Sequence, residues 1–427
     1  MRRLWIFIVL MLALDLYVFQ AVRFLSASLS PKGRVIVYAV YWSISAIAVA
    51  IVLLLPYLYY DGNVSKKIMT YGFAIVIGLF IMKLVCAVFL LVDDIRRLFT
   101  YIFRSAGVAP MGEPGEGISR SAFLSWLGIA AGGTLFGSLL YGFSNKYNYR
   151  VRRVKLAFNN LPEAFRGMKL VQLSDIHSGS FNNKKAVERG VQMAMKENPD
   201  LVLFTGDLVN DRAIEMEEYA EIFKQLNAPL GVFSVLGNHD YGDYHPWPDR
   251  DEAHRLKEEA AGKRLRTPLQ EKNLQDLMEL QRNMNWRLLM NEHVVLEKDG
   301  DKMAIVGIEN WSARNTFPKY GRMADAVKGA EDIPFKILMS HDPSHWDAEV
   351  KNLYKDIDLT LSGHTHGMQF GVEIPGFRWS PVKYVYKKWA GLYEDGHQKL
   401  YVNRGFGFLG YPGRVGILPE ITVIELI

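Results

Sequence analysis

One cysteine in 427 residues, Cys86, leaves no partner for a disulfide within the chain and excludes a cysteine zinc site. A strong charge of one sign is missing too, since 50 Lys and Arg stand against 45 Asp and Glu for a net +5. That excess is small for a nucleic-acid binder, and much of it flanks apolar segments, where membrane topology accounts for it. No nucleic-acid partner is therefore expected. No internal repeat or low-complexity tract stands out, and the length and composition exclude collagenous, disordered and small secreted classes. Long apolar runs are nearly absent after residue 142 and crowd the chain before it. The length suggests two or three units on a prior of about 150 residues each, and this split says that they face two different solvents.

Four segments, 4–22, 35–59, 71–92 and 122–143, have the roughly 18 to 20 apolar residues that carry a helix across about 30 Å of hydrocarbon. An all-α transmembrane region of four helices is expected over 1–143. Arg2 and Arg3 before the first run could mark a cleaved signal peptide, but no small-residue cleavage site follows and Asp15 interrupts the run. Asp15 and Lys83 fall near the middles of the first and third segments, so their depths match. A charge buried alone in lipid is costly, and a pair across the bundle is expected. Orientation is nearly balanced. Arg2, Arg3, Lys66, Lys67, Lys146, Arg150, Arg152, Arg153 and Lys155 lie on one side, and Arg23, Lys32, Arg34, Arg96, Arg97, Arg104 and Arg120 on the other. Residues 119–124, Ser-Arg-Ser-Ala-Phe-Leu, resemble a twin-arginine export signal whose second arginine is replaced by Ser121, which tilts the expectation towards an extracytoplasmic carboxyl-terminal domain on a multi-pass protein of a bacterial cytoplasmic membrane.

A basic linker is expected at 144–152. Its residues Lys146, Arg150 and Arg152, with Arg153 and Lys155, are expected to lie against anionic headgroups, the bilayer being the first partner. From 153 to 427, short β-branched runs alternate with charged helical segments, the pattern of an α/β domain. Strands are expected at 169–174, 201–205, 232–236, 336–340 and 359–362, with a hairpin over 294–308 turning at Asp299 and Gly300 and a last strand at 421–426. Residues 241–285 read as a charged surface insertion of helical spacing; the other reading is a substrate lid.

Each buried strand runs into polar residues: Asp175-Ile176-His177, Gly206-Asp207, Gly237-Asn238-His239-Asp240, His341, and Gly363-His364-Thr365-His366-Gly367. Loops at the carboxyl ends of such strands converge on ligands, so residues far apart in sequence share one site. Carboxylate, imidazole and amide oxygen without thiolate suit divalent Mn, Fe or Zn. So many donors exceed one ion and suit two, about 3.5 to 4 Å apart, that share a carboxylate and activate water against a phosphoester.

The series D-x-H, GD, GNHD, H, GHTH over residues 169–367 resembles the calcineurin-like metallophosphoesterases, especially membrane-tethered or exported bacterial phosphodiesterases. The resemblance implies a four-layer αββα sandwich. It also implies that Asp175, His177 and His366 hold one metal, that Asn238, His341 and His364 hold the other, and that Asp207 bridges. His239 would protonate the leaving group or stabilise transition-state charge. Arg404 and Arg414, on Gly-rich turns, are expected to orient substrate, because arginine reads phosphate bidentately. His245, His254, His293, His345 and His397 are read as surface or structural residues. The expected activity is hydrolysis of a phosphodiester or pyrophosphate bond, with an envelope lipid or nucleotide-linked lipid as a candidate substrate. Two other functions compete: a phosphomonoesterase on a soluble substrate, and a transporter or sensor whose soluble domain only binds phosphate.

Overall fold

The computed structural model describes residues 2–60, 64–105, 120–261 and 265–427. Ser119 of the export-like pattern lies outside the described residues, as do 262–264 of the insertion and the side chains of Arg2, Arg3, Arg104 and Arg120. The chain divides into two compact units, Met1–Phe143 and Ser144–Ile427.

The first unit holds α1 (Arg2–Leu25), α2 (Pro31–Tyr60), α3 (Lys66–Ser105) and α4 (Arg120–Asn145). All four are long and apolar enough to cross a membrane. The 40 residues of α3 rise about 60 Å at 1.5 Å each. That exceeds a hydrocarbon core, and the far end carries ion pairs such as Arg96 Nη2 to Asp93 Oδ1 at 2.8 Å. Val9, Ile36, Leu54 and Val88 stand exposed around the bundle, as expected when lipid is the solvent. Inside, Ile8, Met11, Ala48, Val52 and Val76 pack together. A Cβ at Gly132 would fall 2.6 Å from the Met82 carbonyl, so glycine is what lets α3 and α4 approach closely. Asp15 and Lys83 do meet: Lys83 Nζ donates to Asp15 Oδ1 and, at 3.0 Å, to Ser45 Oγ.

The second unit contains, in order, β1 (Arg150–Leu156), β2 (Lys169–Leu173), α5 (Lys184–Met195), β3 (Leu201–Phe204), β4 (Val232–Ser234), β5 (Arg287–Leu288), β6 (Glu292–Lys298), β7 (Asp301–Gly307), β8 (Lys336–Met339), β9 (Leu359–Ser362), β10 (Val372–Ile374), β11 (Phe377–Trp379), β12 (Gly391–Asp395), β13 (Gln398–Val402) and β14 (Glu420–Leu426). One six-stranded sheet runs β1-β14-β2-β3-β4-β5 and the other β12-β13-β9-β8-β7-β6; β10 and β11 form a separate hairpin. Within the first sheet β2, β3, β4 and β5 are parallel, and within the second β13, β9, β8 and β7 are. Their carboxyl ends therefore gather the loops that bear the predicted motifs. The β6–β7 hairpin turns at Asp299 and Gly300, with Lys298 paired to Asp301.

Period-two alternation explains the layers. Leu201 and Leu203 face inward with Ile337, Met339, Leu359 and Leu361 of the opposite sheet. Val202 and Phe204 face outward and pack with Val187, Val191 and Ala194 of α5. Leu338, Leu400 and Val402 do the same on the outer side of the second sheet, beneath Trp346 and Val350. A strand covered on both faces must be apolar throughout, which is why these segments read as unbroken runs. The result is a mixed-sheet αββα sandwich.

Three readings need correction. Residues 150–152 of the expected linker lie in β1, paired with Glu420, Ile421 and Thr422. Its basic side chains face carboxylates of their own unit: Arg152 to Glu373 at 2.5 Å, Arg153 to Glu197 at 2.6 Å and Lys155 to Glu425 at 2.9 Å. Lys146 is buried and lies over the rings of Tyr147 and Phe408, so apart from Arg150 these cations are not a free headgroup patch. Finally, the 241–285 segment is neither wholly solvated nor a loose lid. Its second helix, Pro268–Asn283, starts at a Thr267 cap and buries Leu274 and Leu277 in the domain's cores.

Candidate metal centre

Backbone geometry marks the site first. Asp175, His177, Asp207, His364 and His366 all adopt positive φ, between 47° and 71°. That region is unfavourable for residues with a Cβ, and its concentration at five strand-end polar residues is strain held in place by the surrounding fold. The motif glycines permit the close approach: a Cβ at Gly237 would lie 2.2 Å from Asp207 Oδ1.

The side chains then converge as two groups, Asp175, His177, His366 and Asp207, His341, His364, each with its ligand atoms within 4.8 Å of one another. His177 Nε2 faces His366 Nε2 at 3.0 Å, and His366 Nε2 lies 3.3 Å from Asp175 Oδ1. In the second group, His364 Nδ1 lies 2.8 Å from Asn238 Oδ1 and 3.3 Å from His341 Nε2. Asp207 Oδ2 stands between the groups, 3.5 Å from His177 Nε2 and 3.1 Å from His341 Nε2. These are oxygen and imidazole donors gathered into two adjoining groups, a donor set that fits two divalent cations.

Supporting contacts fix which atoms are offered. His341 Nδ1 lies 2.7 Å from the Thr205 carbonyl, which assigns the proton to Nδ1 and leaves Nε2 as the ligand atom. His364 Nε2 lies 2.8 Å from the Tyr386 hydroxyl, which in turn donates to Asp342 Oδ2 at 3.2 Å. The Asp175 carboxylate accepts the His364 backbone N–H at 2.9 and 3.0 Å. Asp240 accepts four backbone N–H bonds, from Asp207, Leu208, Val209 and Gly237, at 2.7 to 3.2 Å.

Burial lowers His177 to about 3 and His364 to about 4, and holds His366 well below the usual imidazole range. These three rings are therefore neutral near pH 7, the form that ligates a cation. Burial also opposes charge on Asp207, but the imidazoles of His341 and His239 outweigh it and hold that carboxyl well below its ordinary value. His341 is the counterpart: burial lowers it, the Asp207 carboxylate outweighs burial, and the ring rises to about 10.

His239 stands apart from the ligand groups. Its ring Nδ1 lies 2.7 Å from the Asn210 carbonyl, and its backbone N–H donates to Asp207 Oδ1 at 2.9 Å. It is only partly buried, with its ring 5.0 Å from that of the fully buried His177.

Arg404 and Arg414 correct the sequence reading. Arg404 is 2% exposed and its guanidinium pairs with Glu420 and Glu373. Arg414 is fully buried and donates to the carbonyls of Arg404 at 2.7 Å, of His366 at 3.2 Å and of Gly407. Neither reaches solvent to meet a substrate; both brace the turns behind His366. His345, read as surface or structural, is fully buried, with Nδ1 3.0 Å from Ser340 Oγ and Nε2 3.3 Å from Glu349. The roles of Asp240, Asn210, Asp342 and Tyr386 were not read from sequence. Asp240 at least belongs to the GNHD motif, whereas Tyr386 carries no local signal.

Comparison with known proteins adds the family. A model described as Probable Calcineurin-like phosphoesterase, transmembrane domain, matches residues 1–146, and the Calcineurin-like phosphoesterase model matches 168–368. The transmembrane protein with metallophosphoesterase domain of Danio rerio is 30% identical over 286 residues, covering 65% of this chain and 57% of that protein. The metallophosphoesterase YkuE of Bacillus subtilis is 29% identical over 317 residues, covering 72% of this chain and 98% of that one. The UDP-2,3-diacylglucosamine pyrophosphatase LpxG of Chlamydia muridarum is 28% identical over 284 residues, covering 58% and 81%. With one family model on each of its two units, the chain carries a calcineurin-like phosphoesterase domain preceded by the four-helix transmembrane domain described for such phosphoesterases.

Proposed function

We propose that this chain is a membrane-anchored, dinuclear, metal-dependent phosphoesterase that cleaves a phosphodiester or pyrophosphate bond. The observation that carries the reading is Asp207 Oδ2, within 3.5 Å of His177 Nε2 and 3.1 Å of His341 Nε2, one carboxylate oxygen shared by two ligand groups. In this reading Asp175, His177 and His366 hold one ion, Asn238, His341 and His364 the other, and Asp207 both. Manganese, iron or zinc would suit the donors. Two such ions supply Lewis-acid charge to a phosphoryl group and lower the pKa of water. The protein's own part is to fix the donors. Backbone strain and second contacts such as Thr205 to His341 keep each lone pair aimed, so no reorganisation is needed when charge develops. His239, oriented through Asn210, is the proton donor to the leaving oxygen or the cation facing it.

The pyrophosphatase name of the Chlamydia relative, together with four membrane helices in this chain, supports a nucleotide-linked or other amphiphilic lipid as substrate. The export-like pattern at 119–124 supports an extracytoplasmic catalytic domain. Metal analysis of the purified protein with a panel of diesters, pyrophosphates and monoesters tests the chemistry. A strong preference for monoesters overturns the diester reading. Reporter fusions at the carboxyl terminus, active either outside or inside the membrane, test the side.

A further inference from the structure

The β10–β11 hairpin belongs to neither large sheet. Its register pairs Val372 with Trp379, Glu373 with Arg378 and Ile374 with Phe377. Paired residues of a pleated ribbon share a face and successive residues alternate. One face is therefore Val372, Ile374, Phe377 and Trp379, and the other is Glu373 and Arg378. The polar face is the anchored one: Glu373 pairs with Arg152 at 2.5 Å and Arg404 at 2.6 Å, and Arg378 lies over the Trp389 ring at 5.1 Å. The apolar face is left outward, with Val372, Ile374 and Phe377 exposed by 44%, 58% and 55%. Water as the solvent favours the opposite arrangement.

The same chemistry continues beside the hairpin. Met368, Tyr384 and Val385 are exposed, and their segments are tied together where Ser380 Oγ donates to the Gly367 carbonyl at 2.8 Å. Lys383 and Lys387, both exposed, flank these apolar side chains. A protein partner would favour an interface core poor in lysine. Aromatic and aliphatic tips fringed by lysine are the composition that sits at the headgroup boundary of an anionic bilayer. The candidate centre adjoins this surface. Tyr386 follows Val385 and meets His364 at 2.8 Å, and Met368 is two residues beyond His366.

We infer that the β10–β11 hairpin and the 384–385 turn insert their apolar side chains into an anionic phospholipid bilayer, so that the centre takes its phosphoester from the headgroup layer. The substrate half rests on the function proposed above; the docking half needs only the exposed surface and its charge.

Spin labels on the full-length protein in vesicles separate the two halves. With Cys86 replaced by Ala, one label is placed through Ile374→Cys and a control through Asp299→Cys, at the tip of the β6–β7 hairpin. In vesicles of phosphatidylethanolamine and phosphatidylglycerol, the 374 label should collide preferentially with oxygen and the 299 label with a water-soluble nickel chelate. The 374 preference should weaken in pure phosphatidylcholine. A 374 label as open to the chelate as the 299 label overturns docking, and so does one shielded from both reagents, which signals a protein contact. Ile374→Ser with Phe377→Ser should lower kcat/KM for a vesicle-borne phosphodiester about tenfold, since binding follows buried apolar area, and leave a soluble diester unchanged. An immersed label with equal effects on both substrates overturns the substrate half alone. Absence of any phosphoesterase activity in the unsubstituted protein would refute the enzyme reading and leave the docking result standing.

Discussion

Asp240 Oδ2 accepts the backbone N–H of Asp207 at 2.8 Å, tying the residue proposed to bridge two ions to a carboxylate that is a member of neither ligand group. The same carboxylate takes three further N–H bonds from the two loops that carry Asp207 and Asn238. Asp240→Asn points an amide donor at donors, and each unsatisfied buried N–H costs about 1–3 kcal/mol. We expect metal affinity and activity to fall by roughly 10- to 100-fold, the usual range for an outer contact, with recovery at raised metal concentration. Metal titration of the variant is the check; unchanged affinity would show that Asp240 serves only the fold.

Asp207→Asn should be the most damaging single ligand change. Loss of a terminal donor such as His366 weakens one ion, whereas loss of the shared carboxylate weakens both. Metal stoichiometry and hydrolysis of bis(p-nitrophenyl) phosphate should fall together, further than in His366→Ala. Full activity after chelation, with metal removal verified, contradicts the metal dependence itself.

For His239 the expectation is the reverse in one respect. His239→Ala should lower kcat by roughly 10² to 10⁴ while both ions stay bound, since its ring bonds to the Asn210 carbonyl rather than joining either ligand group. Parallel loss of metal would make it a ligand.

The strand-end motifs were legible because they sit where apolar runs stop, and strands buried on both faces leave long runs in the sequence. The β10–β11 hairpin was not, because its strands are three residues long and largely exposed, so their apolar residues give no continuous run. Arg404 and Arg414 were misread for a related reason. Gly-rich turns say that the backbone bends, but nothing local says that Glu420 and Glu373 wait opposite the guanidinium. Contacts of that kind are made across the sandwich, and β14 comes to lie beside β1 and β2 only when the fold closes.

That buried pair yields a pH-dependent prediction. Burial raises the Glu420 carboxyl, but the Arg404 guanidinium outweighs it and holds the group below its ordinary value. A depressed carboxyl contributes stability above its unfolded pKa, about 4.3, and that contribution is lost as pH falls through the lower folded value. Glu420→Gln should cost about 3–5 kcal/mol at neutral pH, because it leaves a buried cation short of a partner. Its denaturant midpoint should also fall less steeply below about pH 4.3 than that of the unsubstituted protein. Urea unfolding at a series of pH values measures both; parallel acid limbs would mean that Glu420 is not the titrating group.

Within the helix bundle, Asp15 and Lys83 are 1% and 8% exposed, and Tyr41 adds a hydrogen bond from its hydroxyl to the Asp15 carbonyl at 2.8 Å. Removing one partner leaves a charge in lipid with only hydroxyls to face it, whereas neutralising both removes the desolvation cost along with the attraction. Lys83→Met alone should therefore lower the thermal unfolding midpoint of the detergent-solubilised protein. Adding Asp15→Asn to it should recover most of the loss, since the amide oxygen can still accept from the Tyr41 hydroxyl, 3.4 Å from Asp15 Oδ1. A double variant less stable than either single one would show that the pair holds α1, α2 and α3 together by more than mutual neutralisation, through a charged network in which Ser45 and Tyr41 depend on both ions.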